Sequence, residues 1–226
     1  MSVTHTPRGE EGVVDDDTAA APIDVAPHAE TGPAGGHATS TGLSNEKLAM
    51  WVFLGSECLL FGGLISTFLL LRSREIEGQR GPDVAELYDI PFTSVSSFVL
   101  LMSSLTMVLA LAAIQRGDQQ RLRAWLVTTA LLGSTFVAGQ VYEFTAFLRE
   151  GLGFTTNLQS SVFFVLTGFH GVHVTIGIIM LMSLFVMSTR GSLTRQRSET
   201  VEIAGLYWHF VDVVWIIIFT VVYLIR

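Results

Sequence analysis

The chain has 226 residues, of which 50% are hydrophobic and 15% are charged, a composition too apolar for an ordinary soluble domain. Its formal net charge of -7 belongs to the N-terminal part, because eight of the 20 acidic side chains and only one of the 13 basic ones precede Lys47. The remainder is neutral and has no basic face, which excludes nucleic-acid binding. Cys58 is the only cysteine, which excludes an intrachain disulfide framework and a thiolate zinc site.

The N-terminal segment, residues 1–46, is acidic, rich in glycine, alanine and threonine, and contains four of the six prolines. It has no apolar run that could bury a core, so we predict that it is disordered. A solvated tail is the simpler interpretation. Contact with a basic partner at the cytoplasmic face is the alternative.

Five apolar runs follow, and each reaches the roughly 20 residues that a helix needs to cross about 30 Å of hydrocarbon. They cover residues 48–71, 93–114, 122–147, 161–187 and 204–225. Barrel strands would be about 10 residues long with strict alternation, a pattern that these runs lack. The sequence therefore predicts an all-α integral membrane bundle of five transmembrane helices over residues 47–226.

An odd number of spans places the two termini on opposite faces of the membrane. The basic side chains next to the spans then predict which face is cytoplasmic. Seven basic side chains fall on the N-terminal face and five on the other, which favours a cytoplasmic N-terminus. Glycines inside the spans, such as Gly55, Gly62 and Gly63 in the first and Gly168, Gly171 and Gly177 in the fourth, are attributed to close helix packing within the bundle.

Ionisable and amide side chains inside the spans are the candidate functional residues, because a charge at mid-span costs about 2.5–3.5 kcal/mol. At about 1.5 Å per residue, four of them lie between about 8 and 14 Å from the cytoplasmic ends and share one layer. The predicted polar cluster consists of Glu57, His170, His173, His209 and Asp212, with a second polar pair, Gln140 and Glu143, near the outer face.

Three roles are open for this layer. Imidazoles on two helices can ligate haem iron or copper, but three intramembrane histidines do not complete a symmetrical pair of haem sites. A buried network that fixes helix packing is favoured, and proton handling or lipid contact is compatible with it. Glu57 is the strongest single candidate because its own span has no nearby basic residue, so burial favours the neutral acid. Glu143 is interpreted equally well as an interfacial carboxylate within reach of water.

Several segments resemble subunit III of the haem–copper terminal oxidases. Residues 161–177, SVFFVLTGFHGVHVTIG, and 207–215, YWHFVDVVW, are similar to the two signature segments of that family. FLGSE at 53–57, SVSSFVLLMSS at 94–104 and GQVYEF at 139–144 resemble its other helices in the correct order. The resemblance extends over residues 48–226.

This resemblance implies an accessory subunit that is not itself catalytic and holds no metal, while haem and copper reside in partner subunits. It implies packing against subunit I within a proton-pumping oxidase that also contains subunit II, in a bacterial plasma membrane, and retention of phospholipid. A role in proton supply and a place in a respiratory supercomplex are further expectations. Glu57 matches the intramembrane glutamate of the family, which faces subunit I and reacts with carbodiimide, and Arg190 is similar in place to an arginine near lipid head groups.

Five spans rather than seven resemble certain bacterial oxidases, in which another subunit carries the two missing helices. Cytochrome c and quinol both stay open as electron donors, with cytochrome c oxidase preferred. A nitric-oxide-reductase accessory protein of the same helical plan is one alternative. A standalone proton-coupled transporter is another, although the inverted repeats that would support it are not evident in the sequence.

Overall fold

A computed structural model describes residues 44–72, 90–156 and 158–225. It contains five long helices: α1 (Asn45–Arg72), α2 (Ile90–Arg116), α3 (Gln119–Arg149), α4 (Leu158–Thr189) and α5 (Ser198–Phe219). A π-helical turn, Thr220–Leu224, continues α5, and a short 3-10 turn, Arg195–Arg197, precedes it. All five helices are long and apolar enough to cross a membrane, and the described residues contain no strand. The predicted all-α fold with five spans is confirmed.

The tight turns follow from local chemistry. Between α2 and α3, Gly117 adopts a φ of 80°, a left-handed conformation that glycine reaches without a steric penalty. Asp118 then caps α3, because its side chain accepts a hydrogen bond from the backbone N–H of Arg121 at 3.0 Å. The two helices are therefore antiparallel neighbours. The predicted tail lies outside the described residues except for its last three positions, where α1 begins at Asn45.

Four helices, α2 to α5, form the main body of the bundle, in which α2 packs on α3 and α5, and α4 packs on α3 and α5. Large side chains of α5 fill the centre, and Trp208 and Trp215 are each 2% exposed. Basic side chains gather at one end of the bundle, here called the basic end: Lys47, Arg116, Arg121, Arg123, Arg190, Arg195 and Arg197. Two contacts join the helix ends there. Lys47 Nζ lies 2.6 Å from Glu202 Oε1, and the Arg123 guanidinium donates to the carbonyl oxygen of Ser188 at 2.7 Å.

Helix α1 lies outside this body and touches α4 and α5 along one narrow stripe. In the 18-residue apolar stretch of α1 only 11% of the residues are buried, against 33–50% in the corresponding stretches of the other four helices. The stripe repeats every three and four residues, which is the spacing of a seam between two helices: Met50, Leu54, Glu57, Phe61, Leu64 and Phe68. Most of the α1 surface is thus left for lipid or for another protein.

The glycines of the first and fourth spans have different roles. A Cβ atom at Gly171 would lie 2.9 Å from Gln140 Oε1, and one at Gly177 would lie 2.8 Å from the Trp208 ring, so these positions do serve close packing. Gly55, Gly62, Gly63 and Gly168 have nothing within 4 Å of that position. Attributing these four to close packing within the bundle is wrong, because the first three lie on the open side of α1 and Gly168 borders an open groove between α3 and α4.

Candidate functional site

Glu57 of α1 and His173 of α4 form a pair at the centre of the α1 seam. The Nε2 atom of His173 lies 3.1 Å from Oε2 of Glu57, and their side chains are 11% and 14% exposed. Phe61, one turn further along α1, packs edge-on against the imidazole with the ring centroids 5.1 Å apart. The carboxyl group and the imidazole are therefore held together among apolar neighbours.

The hydrogen bond made by the other ring nitrogen of His173 determines where the protons of this pair can lie. Nδ1 of His173 lies 2.7 Å from the carbonyl oxygen of Phe169, which can only accept, so Nδ1 carries a hydrogen. Nε2 then either accepts a hydrogen bond from the O–H of a neutral Glu57 or donates one to the Glu57 carboxylate. In both forms one proton lies between the two groups and the pair is neutral overall, which lowers the cost of placing it in hydrocarbon.

His209 and Asp212 of α5 form a second group with Ser104 of α2. The Ser104 hydroxyl donates to Oδ2 of Asp212 at 2.5 Å, and Nδ1 of His209 lies 3.2 Å from the same hydroxyl oxygen. Since the hydroxyl hydrogen already points to Asp212, His209 must donate its Nδ1–H to Ser104. Oδ1 of Asp212 has no hydrogen-bond partner within the described ranges.

His170 lies apart from both groups. Its ring is fully buried, stacks on Trp215 with the centroids 4.9 Å apart, and meets Phe136 edge-on at 5.8 Å. Neither ring nitrogen has a hydrogen-bond partner among the residues that the structure describes. The five predicted residues are thus placed as an α1–α4 pair, an α2–α5 group and a separate aromatic stack, rather than as one hydrogen-bonded cluster.

The two residues of the predicted outer pair point to different helices. Gln140 donates its amide N–H to the carbonyl of Thr167 on α4 at 2.7 Å. Glu143 accepts hydrogen bonds from Thr93 of α2 at 2.9 Å and from the Tyr223 hydroxyl at 3.2 and 3.3 Å. Glu143 is 6% exposed, so the structure buries this carboxylate among hydroxyl groups and does not place it toward water.

Arg190 follows the last residue of α4 at the basic end and is exposed. Its backbone N–H bonds to the carbonyl of Val186 at 3.1 Å, and the next residue, Gly191, has a φ of 73°. No three His, Cys, Asp or Glu side chains in the described part of the chain come together in a way that could hold a metal ion. The expectation that this chain holds no metal stays a prediction.

Serines of α2 are structural residues that the sequence did not single out. Ser97 accepts a hydrogen bond from the Trp215 indole at 2.8 Å, and Ser103 accepts one from Trp208 at 2.9 Å. Together with Ser104, which bonds to Asp212 and His209, these serines bond to four polar side chains of α5 along one antiparallel contact. Ser103 and Ser104 follow Ser97 by six and seven residues, and Leu100 between them is buried. This helical spacing is the sequence signal that could have identified the polar face of α2.

Comparisons with known proteins identify relatives over most of the chain. The family model described as "Cytochrome c oxidase subunit III" matches residues 24–225. The cytochrome c oxidase subunit 3 of Bacillus sp. (strain PS3) is 39% identical over 198 residues, which cover 87% of this chain and 94% of the relative. The quinol oxidase subunit 3 of Bacillus subtilis (strain 168) is 42% identical over 177 residues, covering 78% and 85%. The cytochrome c oxidase subunit 3 of the same B. subtilis strain is 36% identical over 197 residues, covering 87% and 94%.

Proposed function

Because this chain belongs to the cytochrome c oxidase subunit III family and is an accessory subunit of a haem–copper oxidase, we propose that it stabilises the haem-bearing subunit I, retains phospholipid and contributes to proton supply. Haem and copper belong to the partner subunits in this proposal, subunit II is a further neighbour, and this chain performs no redox step. The complex is placed in a bacterial plasma membrane with the basic end in the cytoplasm, as the distribution of basic residues favours.

One observation carries the proposed contact with subunit I: the nearly uncovered surface of α1. Gly55, Gly62 and Ser66 are exposed on α1, and the two glycines have nothing within 4 Å of a Cβ position. Small residues at such spacing let a neighbouring helix approach closely in a membrane. Glu57 lies on the same helix but points into the seam with α4, so α1 itself separates the pair with His173 from a subunit that packs on this open surface.

The experiment that tests this function compares the native oxidase with the same complex depleted of this chain. We expect most of the initial rate of oxygen consumption per haem to be retained, with a partial decrease from the lost proton supply, while the depleted enzyme loses activity after fewer turnovers and contains less bound phospholipid. An immediate loss of the initial rate would assign a direct catalytic role to the chain. Equal durability and equal lipid content of both preparations would contradict the proposal.

Cytochrome c oxidase is the first choice for the complex, and quinol oxidase is the second, because relatives of both names align over most of this chain. The two are distinguished by the electron donor that the purified complex oxidises. A nitric-oxide reductase would instead consume nitric oxide, and a standalone proton-coupled transporter would be active when this chain is reconstituted alone.

A hydrophobic carbodiimide is expected to modify Glu57 in the detergent-solubilised protein at mildly acidic pH. Such reagents attack protonated carboxyl groups, and Glu57 lies in an apolar seam where its side chain is only 14% exposed. Peptide mapping by mass spectrometry measures the adduct, and Glu57→Gln serves as the control that removes the target. A water-soluble carbodiimide should leave Glu57 unmodified. Absence of the hydrophobic adduct would contradict the prediction that Glu57 is a protonated carboxyl group that can be reached from the hydrocarbon.

A further inference from the structure

A groove between α2 and α3 opens at the basic end of the bundle. It has a volume of about 490 Å³, and its walls are mainly apolar, with Leu109, Ala112 and Ala113 on α2 and Ala124 and Trp125 on α3. Arg116 and Arg121 line it together with Asp118. The groove thus combines a cationic mouth with an apolar track that runs into the membrane.

The charges at the mouth are not balanced. Asp118 pairs with Arg121, with Oδ2 lying 3.2 Å from Nε, and its other oxygen caps the helix. No ion pair with Arg116 is found within the part of the chain that the structure describes. Two guanidinium groups and one carboxylate leave one net positive charge, which matches the single negative charge of a phosphodiester. The terminal N–H groups of arginine suit phosphate oxygens by their forked geometry.

The order of side chains along the groove matches the order of groups in a lipid. Arg116 and Arg121 lie at the helix ends, Trp125 lies about 6 Å deeper, and Leu109 lies about 10 Å below Arg116. An indole at this depth is typical of the membrane interface, and the small alanines, about 4.5–6 Å from the same helix ends, leave room for an acyl chain to pass beside it. Free phosphate would use the mouth alone and leave the apolar walls uncovered.

We propose that the groove between α2 and α3 binds one anionic phospholipid, with its phosphate at Arg116 and Arg121 and its acyl chain along Ala112, Ala124 and Leu109. The inference rests on the lipid retention proposed above for its role in the complex, and it adds a position and a lipid class. It differs from the expected lipid contact at Arg190, which lies beyond the end of α4 and does not line this groove.

Quenching of Trp125 fluorescence by brominated lipids tests the site in the full-length chain reconstituted in phosphatidylcholine vesicles. Trp208 and Trp215 are each 2% exposed, so Trp51→Phe leaves Trp125 as the indole that lipid can reach among the four tryptophans. We expect brominated phosphatidylglycerol to bind with a preference of about fivefold over brominated phosphatidylcholine, which is what one unbalanced arginine supplies. Equal quenching by the two lipids would overturn the proposal.

Three variants in the Trp51→Phe background sharpen the test. Arg116→Gln with Arg121→Gln should abolish the preference, whereas the matched control Arg195→Gln with Arg197→Gln, which removes two charges from the same end, should keep it. Asp118→Asn keeps a capping oxygen but removes the competing charge, so the preference should rise by about a further fivefold. If the control pair abolishes the preference as completely, the general charge of the basic end is responsible and the site is refuted.

Inorganic phosphate, added to the same vesicles, distinguishes a bound lipid from a free anion. It should leave the preference intact, and loss of the preference would assign the groove to free phosphate instead of lipid. The quenching measurement does not depend on oxidase activity. Absence of a preference for phosphatidylglycerol would therefore refute this site alone. Unchanged durability of the oxidase depleted of this chain would instead refute the proposed function.

Discussion

Gly177→Val is expected to destabilise the chain by about 3 kcal/mol and to sharply reduce its recovery with the oxidase complex. A Cβ atom at this position of α4 would lie 2.8 and 2.9 Å from two atoms of the Trp208 ring and 3.3 Å from the Tyr207 ring. Trp208 cannot move away on its far side, because a Cβ built on Gly133 of α3 would lie only 2.5 Å from the same ring. The indole fills the space between two helices that both lack a side chain there.

The ring is also fixed by its hydrogen bond. Trp208 donates a hydrogen bond to Ser103 of α2 at 2.9 Å, so displacement of the ring would break the hydrogen bond between these two buried polar groups. Unfolding of the purified chain, titrated with a denaturing detergent, measures the loss of stability. Gly168→Val on the same helix is the matched control, because nothing lies within 4 Å of its Cβ position. Equal losses for the two variants would show that helix α4 tolerates no added side chain, and that the contact with Trp208 is not the cause.

His173→Phe is expected to cost about 2 kcal/mol, because it leaves the Glu57 carboxyl group in an apolar seam without its partner. Phenylalanine keeps much of the ring packing against Phe61, so the loss reports mainly on the hydrogen bond. Glu57→Gln should cost less than about 1 kcal/mol, because its amide N–H can donate to Nε2 while Nδ1 keeps its bond to the carbonyl of Phe169.

A double-mutant cycle isolates the pair. Glu57→Leu alone and His173→Phe alone each leave one polar group unpaired, whereas the double variant leaves neither. We therefore expect the double variant to lose less stability than the sum of the single losses, by at least about 1 kcal/mol. Strictly additive losses would mean that the two side chains do not interact, whatever their separation.

The sequence was sufficient to predict the spans, because a lipid environment requires helices of a certain length and an apolar composition. Both properties can be read directly from the order of residues. Each predicted span lies within one of the described helices or, for the last, within α5 and its π-helical continuation together with the next residue. The same reasoning selected Glu57, His173, His209 and Asp212, since charges are rare in hydrocarbon. It gave their depth through the rise per residue.

Depth alone could not determine partners, because rotation about each helix axis decides which side chains meet. His170 and His173 are three residues apart, yet one stacks on Trp215 and the other bonds to Glu57, 116 positions away. The proton arrangement of each group likewise depends on neighbours such as the Phe169 carbonyl and the Ser104 hydroxyl.

The sequence by itself determined that this chain is a five-helix membrane protein, and its motifs indicated the family. Only the tertiary structure decided that α1 stands apart on a narrow seam, that Trp208 occupies the space left by Gly133 and Gly177, and that the α2–α3 groove has a cationic mouth. Hydrophobicity is summed along a segment, so it can be read locally. Contacts depend on the shapes of side chains from separate helices, so they are fixed only when all the helices pack together.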